Sequence, residues 1–360
     1  MSVLAIAAVL GGMAVLVAGA EALVRGASRL AAAAGVSSLV IGLTVVAYGT
    51  SAPEMAVSVQ AALTGAGEVA IGNAIGSNIF NTLAILGLSA LFGGLVVHQR
   101  LVRVDVPLLL GITALTWWLA SDGTLGVLEG SLLLVGIVAY SVLVYVLGRR
   151  EPEVVVAEYE EAFGTDVAVQ TRTWPRAVGL VLVGLAALVA GAQLLVIGAT
   201  DIAASLGVSD LIIGLTVVAA GTSLPELATS VVATRRGERD IAVGNIICSN
   251  IFNLLAVLGA SADAKGGLDD PDATIVTDLP VARLVTLIAL PALALGRSIS
   301  RWEGVVLLAA YVGYVGYLAL AATSSPAAPD ARLWLLVGLA AAAVLIVAVG
   351  LLTRRRGQTA

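Results

Sequence analysis

The chain has 360 residues, of which 59% are hydrophobic and 12% charged, with a formal net charge of −5. A soluble domain carries about 25% charged residues and about 45–50% apolar ones, so this composition excludes a soluble protein and points to an integral membrane protein. The apolar runs are long and do not alternate, which excludes a membrane β-barrel and leaves spanning helices of roughly 20 apolar residues each.

Eleven spans are predicted, over about 3–24, 38–63, 69–96, 104–120, 124–147, 176–199, 210–234, 241–262, 279–296, 302–322 and 332–353. The first run lacks a basic start, extends as an amphipathic segment to Ala34 and has an equivalent at 176–206, so it reads as a retained span rather than a signal peptide. Residues 148–175 carry Glu151, Glu153, Glu158, Glu160, Glu161, Asp166 and Arg172, the composition of a solvated linker. A second acidic stretch, 263–278, holds Asp263, Asp269, Asp270, Asp272 and Asp278 without calcium-loop spacing and reads as a solvated loop. The last span has no intramembrane charge and no counterpart elsewhere in the chain.

Basic residues set the orientation. With the N-terminus outside, sixteen of the Lys and Arg residues fall at cytoplasmic ends, among them Arg25, Arg29, Arg100, Arg103, Arg235, Arg236, Arg239 and Arg354 to Arg356. Three, Lys265, Arg283 and Arg332, fall outside. This positive-inside bias places the C-terminus in the cytoplasm and the protein in the cell membrane.

Shifting the chain by 172 residues aligns 39–90 with 211–262 without a gap, at 33 identities in 52 positions. Val17-Ala18-Gly19-Ala20 likewise matches Val189-Ala190-Gly191-Ala192. Shared polar residues, rare in this chain, argue against chance. Five spans precede the second copy, so the copies enter the membrane from opposite sides. The fold predicted is an all-α polytopic membrane protein with an inverted repeat, an arrangement suited to a secondary transporter with its site where the halves meet. The domains are 1–148 (first repeat), 149–174 (cytoplasmic linker), 175–323 (second, inverted repeat) and 331–353 (additional C-terminal helix).

Each copy carries a proline-broken polar knot, Gly49-Thr50-Ser51-Ala52-Pro53-Glu54 and Gly221-Thr222-Ser223-Leu224-Pro225-Glu226. Proline lacks an N–H and clashes with the carbonyl four residues back, here Gly49 and Gly221, so the first helix is expected to open near Ala47–Thr50. Carbonyls freed at membrane depth must be buried in protein or line a wet cavity. With Glu54 or Glu226 one residue past the proline, such oxygens suit a hard cation. About twenty residues on, Asn73, Ser77 and Asn81 share one helical face, as do Asn245, Ser249 and Asn253. Gly72 and Gly76 are expected to admit a neighbouring helix beside that face. An intramembrane carboxylate is costly and functional by default.

The remaining polar residues read as structural. Cys248, the one cysteine, permits no intrachain disulfide and stands for Gly76 as a small packing residue; His98 is interfacial. Glu21, Arg25, Asp105, Glu129, Asp201, Asp210 and Glu303 fall near predicted span ends, where most can reach headgroups or water by snorkelling. Glu21 has Gln193 as its repeat partner, so its charge is not duplicated.

Gly42-Leu43-Thr44-Val45-Val46-Ala47-Tyr48-Gly49-Thr50-Ser51 leading into Pro53-Glu54, Gly72-Asn73 with Gly76-Ser77-Asn78-Ile79-Phe80-Asn81, and their copies at 214–226 and 244–253 resemble the cation/Ca2+ exchanger superfamily, within it the prokaryotic sodium/calcium exchangers. The resemblance covers roughly 3–322 and implies ten core helices in two inverted five-helix halves. It implies Ca2+ on Glu54 and Glu226 with main-chain oxygens of Thr50 and Thr222. It implies Na+ on the Ala47 and Ala219 carbonyls with Ser51, Ser77, Ser223 and Ser249, with Asn81 and Asn253 lining the middle and Asn73 and Asn245 in support. Family members often carry aspartate at one of the two middle positions; this chain has asparagine at both, which leaves two carboxylates and a formal charge of −2. Proton-coupled members of the superfamily usually place a glutamate in the third-span motif; none lies between Gly72 and Asn81, so the resemblance implies Na+ rather than H+ as the coupling ion.

The function expected is a monomeric antiporter, not an enzyme, exchanging Ca2+ for Na+ by alternating access without a cofactor and without nucleic acid. A Ca2+/H+ or K+-dependent exchanger of the same fold, or more remotely a cation channel, is the alternative.

Overall fold

The computed structural model describes residues 3–34, 36–148, 174–206, 219–269, 281, 284–285, 298–322, 325 and 327–357. The helices are α1 (Val3–Ala34), α2 (Leu39–Thr50), α3 (Ala52–Leu63), α4 (Gly67–Gly93), α5 (Leu101–Leu119), α6 (Val127–Leu147) and α7 (Trp174–Ser205), followed by α8 (Ala219–Thr222), α9 (Leu224–Arg235), α10 (Arg239–Lys265), α11 (Arg301–Ala321) and α12 (Ala328–Gly357). Among the described residues eight helices are long and apolar enough to cross a membrane, and the bent pair α2–α3 makes a ninth. The chain is a multi-pass, all-α membrane protein. Residues 149–173 of the expected linker, 210–218 of the seventh span, the ninth span at 279–296 except 281, 284 and 285, and the acidic stretch from Asp270 to Asp278 lie outside the described residues.

Helices α4 and α10 are interior: 78% and 94% of their apolar windows are buried, against 28% or less for α1, α6, α7, α11 and α12. The outer helices instead expose apolar faces, such as Val135, Val138 and Val142 on α6. The extra helix α12 packs on α11 through a buried stripe of Leu335, Leu339 and Ile346.

Helices α1 and α7, equivalent in the two copies, run antiparallel in close contact. Cβ atoms built at Gly12, Gly19 and Gly26 would meet the backbone of Leu195, Leu188 and Val181 at 2.6, 2.8 and 2.8 Å, and one at Gly198 would meet the Ala5 carbonyl at 2.6 Å. Small residues recur every seventh position on both helices, Ala5, Gly12, Gly19 and Gly26 against Gly198, Gly191, Gly184 and Ala177. Backbones thus touch directly, the route by which helices gain packing energy in lipid. The same device joins α4 to α11 at Gly87 and Gly304, and α10 to α6 at Gly259 and Gly130.

Two antiparallel ribbons absent from the sequence-based expectation cap these pairs. Leu95 and Val96 pair with Ile299 and Ser298, and Thr124 and Leu125 pair with Asp269 and Leu268. Each ribbon ties the end of an interior helix in one half to the start of an outer helix in the other. Ser300 and Glu303 then cap α11: Glu303 accepts the Ser300 N–H at 2.7 Å and its hydroxyl at 2.6 Å. Glu303 is therefore a helix cap, not a residue reaching for solvent.

The helix break falls at Ser51 rather than within Ala47–Thr50, which stays helical. Ser51 leaves helical geometry at φ −83°, ψ 6°, and α2 and α3 meet at a bend of 42°. Turning Ser51 relieves the clash between Pro53 and the Gly49 carbonyl, and Pro53 then occupies the first turn of α3, where its missing N–H costs nothing. Ser223 does the same before Pro225, at φ −89°, ψ 8°. Gly65 and Gly237, at φ +89° and +84°, close α3 and α9 in the left-handed region at matching places.

Candidate cation site

The two breaks meet at the centre of the molecule, each flanked by the interior helix of both copies. Ser51 Oγ donates to Glu226 Oε1 at 2.8 Å, and Ser223 Oγ donates to Glu54 Oε1 at 2.7 Å. Each carboxylate is thus held by the serine of the opposite copy. All four side chains are buried, with exposures of 1% or less.

Threonines and asparagines form the next layer. Thr50 donates to Asn245 Oδ1 at 3.1 Å and Thr222 to Asn73 Oδ1 at 3.4 Å. The asparagine nitrogens point away, Asn73 to Ser58 Oγ at 2.9 Å and Asn245 to Ser230 Oγ at 3.1 Å. Asn73 Nδ2 also reaches the Glu54 carbonyl at 3.4 Å. The Ala47 carbonyl accepts the Ser51 N–H at 3.0 Å and the Thr50 hydroxyl at 3.3 Å, while Ala219 lies in α8.

Helices α4 and α10 each widen into a π-helical turn at the same place, Asn81–Ile85 and Asn253–Val257. Such turns are frequent at functional sites. Here they begin at the two asparagines. Asn81 Nδ2 donates to Asn250 Oδ1 at 3.0 Å and Asn253 Nδ2 to Asn78 Oδ1 at 3.1 Å.

Among the expected site residues, six buried oxygens have no hydrogen-bond partner: Glu54 Oε2, Glu226 Oε2, Ser77 Oγ, Ser249 Oγ, Asn81 Oδ1 and Asn253 Oδ1. They are three pairs related by the 172-residue shift. An unpaired buried acceptor is costly. Buried carboxylate, hydroxyl and amide oxygens without donors are the ligand types that suit a hard cation. Of the expected residues, Thr50, Ser51, Glu54, Ser77, Asn81, Ser223, Glu226, Asn245, Ser249 and Asn253 are buried, while Asn73 and Thr222 are half-buried.

The helix expected beside Gly72 and Gly76 is not among the described residues: none of these lies within 4 Å of a Cβ built at either position. In the second copy Gly244 lies against Leu39 and Gly42, whose equivalents fall outside the described residues. Asp105 does not snorkel: it is fully buried, accepts from the Tyr140 hydroxyl at 2.9 Å and faces Arg100 at 3.7 Å. Glu21 joins Arg25 on its own helix at 2.8 Å and Arg236 on the α9–α10 turn. Cys248 is buried and its thiol donates to the Leu43 carbonyl at 2.6 Å.

Sequence reasoning assigned no role to Asn78, Asn250, Ser58 and Ser230. Their signal was present, since all four are polar identities at the 172-residue shift.

A family model described as sodium/calcium exchanger protein matches residues 4–146 and 176–320. The putative antiporter CaxA of Alkalimonas amylolytica is 42% identical over 309 residues, 85% of this chain and 95% of its own. The sodium/calcium exchanger MaX1 of Methanosarcina acetivorans is 33% identical over 336 residues, 84% and 94% of the two chains. A structure of the sodium-calcium exchanger NCX_Mj superposes with a TM-score of 0.73 at 32% identity, over 87% of this chain and 98% of that one. Matched over both halves by the family model and over most of its length by these relatives, the chain belongs to the sodium/calcium exchanger protein family.

Proposed function

We propose that this protein is a secondary antiporter that exchanges Ca2+ for Na+ across the cell membrane by alternating access, moving Ca2+ outward at ordinary sodium gradients. The reading rests on the reciprocal Ser51–Glu226 and Ser223–Glu54 pairs together with the unpartnered oxygens of Glu54, Glu226, Ser77, Ser249, Asn81 and Asn253. Its relatives named by activity are exchangers and antiporters, not enzymes.

The two carboxylates carry a formal −2. One Ca2+ neutralises them, as do two Na+, and a third Na+ leaves +1. Both ions draw on the same oxygens, so full occupancy by one excludes the other. An empty or half-filled site leaves buried carboxylates uncompensated, which penalises movement without cargo. Glu54 and Glu226 hold Ca2+, with the main-chain oxygens of Thr50 and Thr222. Ser51, Ser77, Ser223, Ser249 and the carbonyls of Ala47 and Ala219 serve Na+, with Asn81 and Asn253 at the centre. Asn73 and Asn245 hold the threonines from behind.

Alternating access is supported by the antiparallel contact of α1 with α7, equivalent helices of the two copies. Two inverted five-helix halves, 1–148 and 175–323, exchange roles in such a scheme. The bias of basic residues favours an N-terminus outside and a C-terminus in the cytoplasm. Both carboxylates come from one chain, so a monomer suffices.

The test is Ca2+ uptake by proteoliposomes of the purified chain under a Na+ gradient, with a protonophore present. Uptake against the Ca2+ gradient supports the proposal. Uptake that follows a proton gradient instead, or leak that only dissipates the Ca2+ gradient, overturns it.

A further inference from the structure

Amides at a cation site raise a problem that carboxylates do not. A carboxylate offers oxygen at both ends, while an amide offers oxygen at one end and an NH2 donor at the other. Asn81 and Asn253, both 1% exposed, serve a cation only if their oxygens point at it. Something must decide which way each amide faces.

The neighbouring asparagines decide it. Asn78 Nδ2 donates to the main-chain carbonyl of Asn250 at 3.0 Å. A carbonyl oxygen only accepts, so the nitrogen of Asn78 must lie on that side and its oxygen on the other. That oxygen accepts from Asn253 Nδ2 at 3.1 Å, which commits the NH2 of Asn253 to Asn78 and leaves its Oδ1 buried without a partner. The second arm runs through Asn250, whose Oδ1 accepts from Asn81 Nδ2 at 3.0 Å and whose Nδ2 donates to Thr82 Oγ1 at 2.9 Å. Thr82 is a hydroxyl, able to donate as well as accept, and its equivalent in the other copy is Leu254. The arm holding Asn253 ends on an unambiguous acceptor, so its lock is the firmer of the two.

We propose that Asn78 and Asn250 are positioning residues that fix the amide oxygens of Asn253 and Asn81 toward the cation. This rests on the cation site proposed above. It accounts for a chain that carries asparagine at both middle positions: each amide has a partner that removes its freedom to flip. Neither Asn78 nor Asn250 offers an unpartnered oxygen of its own, since both oxygens already accept from an amide.

The test is Ca2+ binding to the full chain in detergent, read as the Ca2+-dependent rise in unfolding temperature, for a cycle of four proteins: wild type, Asn78→Ala, Asn253→Asp and the double variant. In the wild-type background Asn78→Ala is expected to weaken Ca2+ binding about tenfold, the scale of one oriented hydrogen bond. In the Asn253→Asp background the penalty is expected to fall below about threefold, because a carboxylate needs no orienting and the coupling disappears. Equal penalties in both backgrounds would mean that Asn78 merely supports packing, and would overturn the proposal. No penalty in either, or loss of Ca2+ binding in Asn253→Asp alone, overturns it too. Should Asn78→Ala fail to fold, Asn250→Ala with Asn81→Asp makes the same cycle on the other arm. Absence of Ca2+ binding in wild type refutes the cation site itself, a result separate from any of these.

Discussion

Ser51 and Glu226 stand 175 positions apart in the chain and share a 2.8 Å hydrogen bond at the centre of the molecule. The bond between Ser223 and Glu54 repeats it with the copies exchanged. Each carboxylate keeps one oxygen bonded and one without a partner. If that arrangement binds Ca2+, replacing either carboxylate has a distinctive outcome. Glu54→Gln and Glu226→Gln are each expected to lower Ca2+ flux at least ~100-fold, equivalent to about 2.7 kcal/mol or more. The cation-free protein should be no less stable, because a buried charge has been removed. Ca2+ stabilises the wild type by about 2.7 kcal/mol at a hundred times its Kd, and this gain should vanish in both variants. Thermal unfolding with and without Ca2+, beside a flux assay, reads both effects; normal exchange in either variant would sink the site assignment.

Ser51→Ala and Ser223→Ala should behave alike, because each removes one hydroxyl from one carboxylate. A hydrogen bond to a charged group is worth about 1.5–3 kcal/mol, so each should weaken Ca2+ binding by roughly ten- to a hundredfold. Titration of the two single variants decides it. A large effect at one serine and none at the other would contradict the reciprocal geometry.

Adjacent glycines on α1 give a sharp contrast in packing. Gly12 is buried, with Leu195 N only 2.6 Å from where its Cβ would stand, while nothing described lies within 4 Å of one at Gly11. Gly12→Ala must push α1 from α7 and is expected to cost about 1–3 kcal/mol. Gly11→Ala should be neutral or stabilising by about 0.5–1 kcal/mol, the helical advantage of alanine over glycine. Unfolding in detergent compares them directly.

Asp105 and Arg100 form a buried pair, and Tyr140 is the hydrogen-bond donor to the carboxylate. Asp105→Asn leaves the guanidinium uncompensated and should cost about 3–5 kcal/mol, whereas Arg100→Met with Asp105→Leu should restore most of it. The double variant failing as badly as the single would show that the pair does more than balance charge.

Glu21 provides a control carboxylate. It is partly exposed and shared by Arg25 and Arg236, so Glu21→Gln should cost less than ~1 kcal/mol and leave Ca2+ exchange intact. Loss of exchange would give Glu21 a part in transport that its ion pairs do not suggest.

Much of this architecture was legible because it is written in rare residues. In a chain this apolar, Glu54, Asn81 and their copies stand out, and an exact 172-residue offset binds them into one pattern. Proline chemistry identified the broken helices, although the break lies at Ser51, one residue beyond the expected stretch, because backbone rotation there is enough to clear Pro53. The ribbons were invisible: two residues per strand carry no periodicity. Asp105 was misjudged because a carboxylate near a span end looks free to reach water, and only the fold brings Tyr140 over it. Polar residues that bond one another across the halves, such as Asn78 and Asn250, could not be told from those that face the centre. Both kinds share the same helix and differ only by a fraction of a turn.

The reciprocal serine–glutamate pairing also bears on how the protein is made. Glu54 is synthesised 169 residues ahead of Ser223, the hydroxyl that will hold it. At roughly 5–20 residues per second, translation leaves an interval of about 10–30 s in which α2 and α3 have entered the bilayer without their partner. During that interval the carboxylate must stay at the interface, stay neutral, or be sheltered by the insertion machinery. Birth of the second copy thus completes the first, and a nascent chain halted between the two should be a poor resident of the membrane.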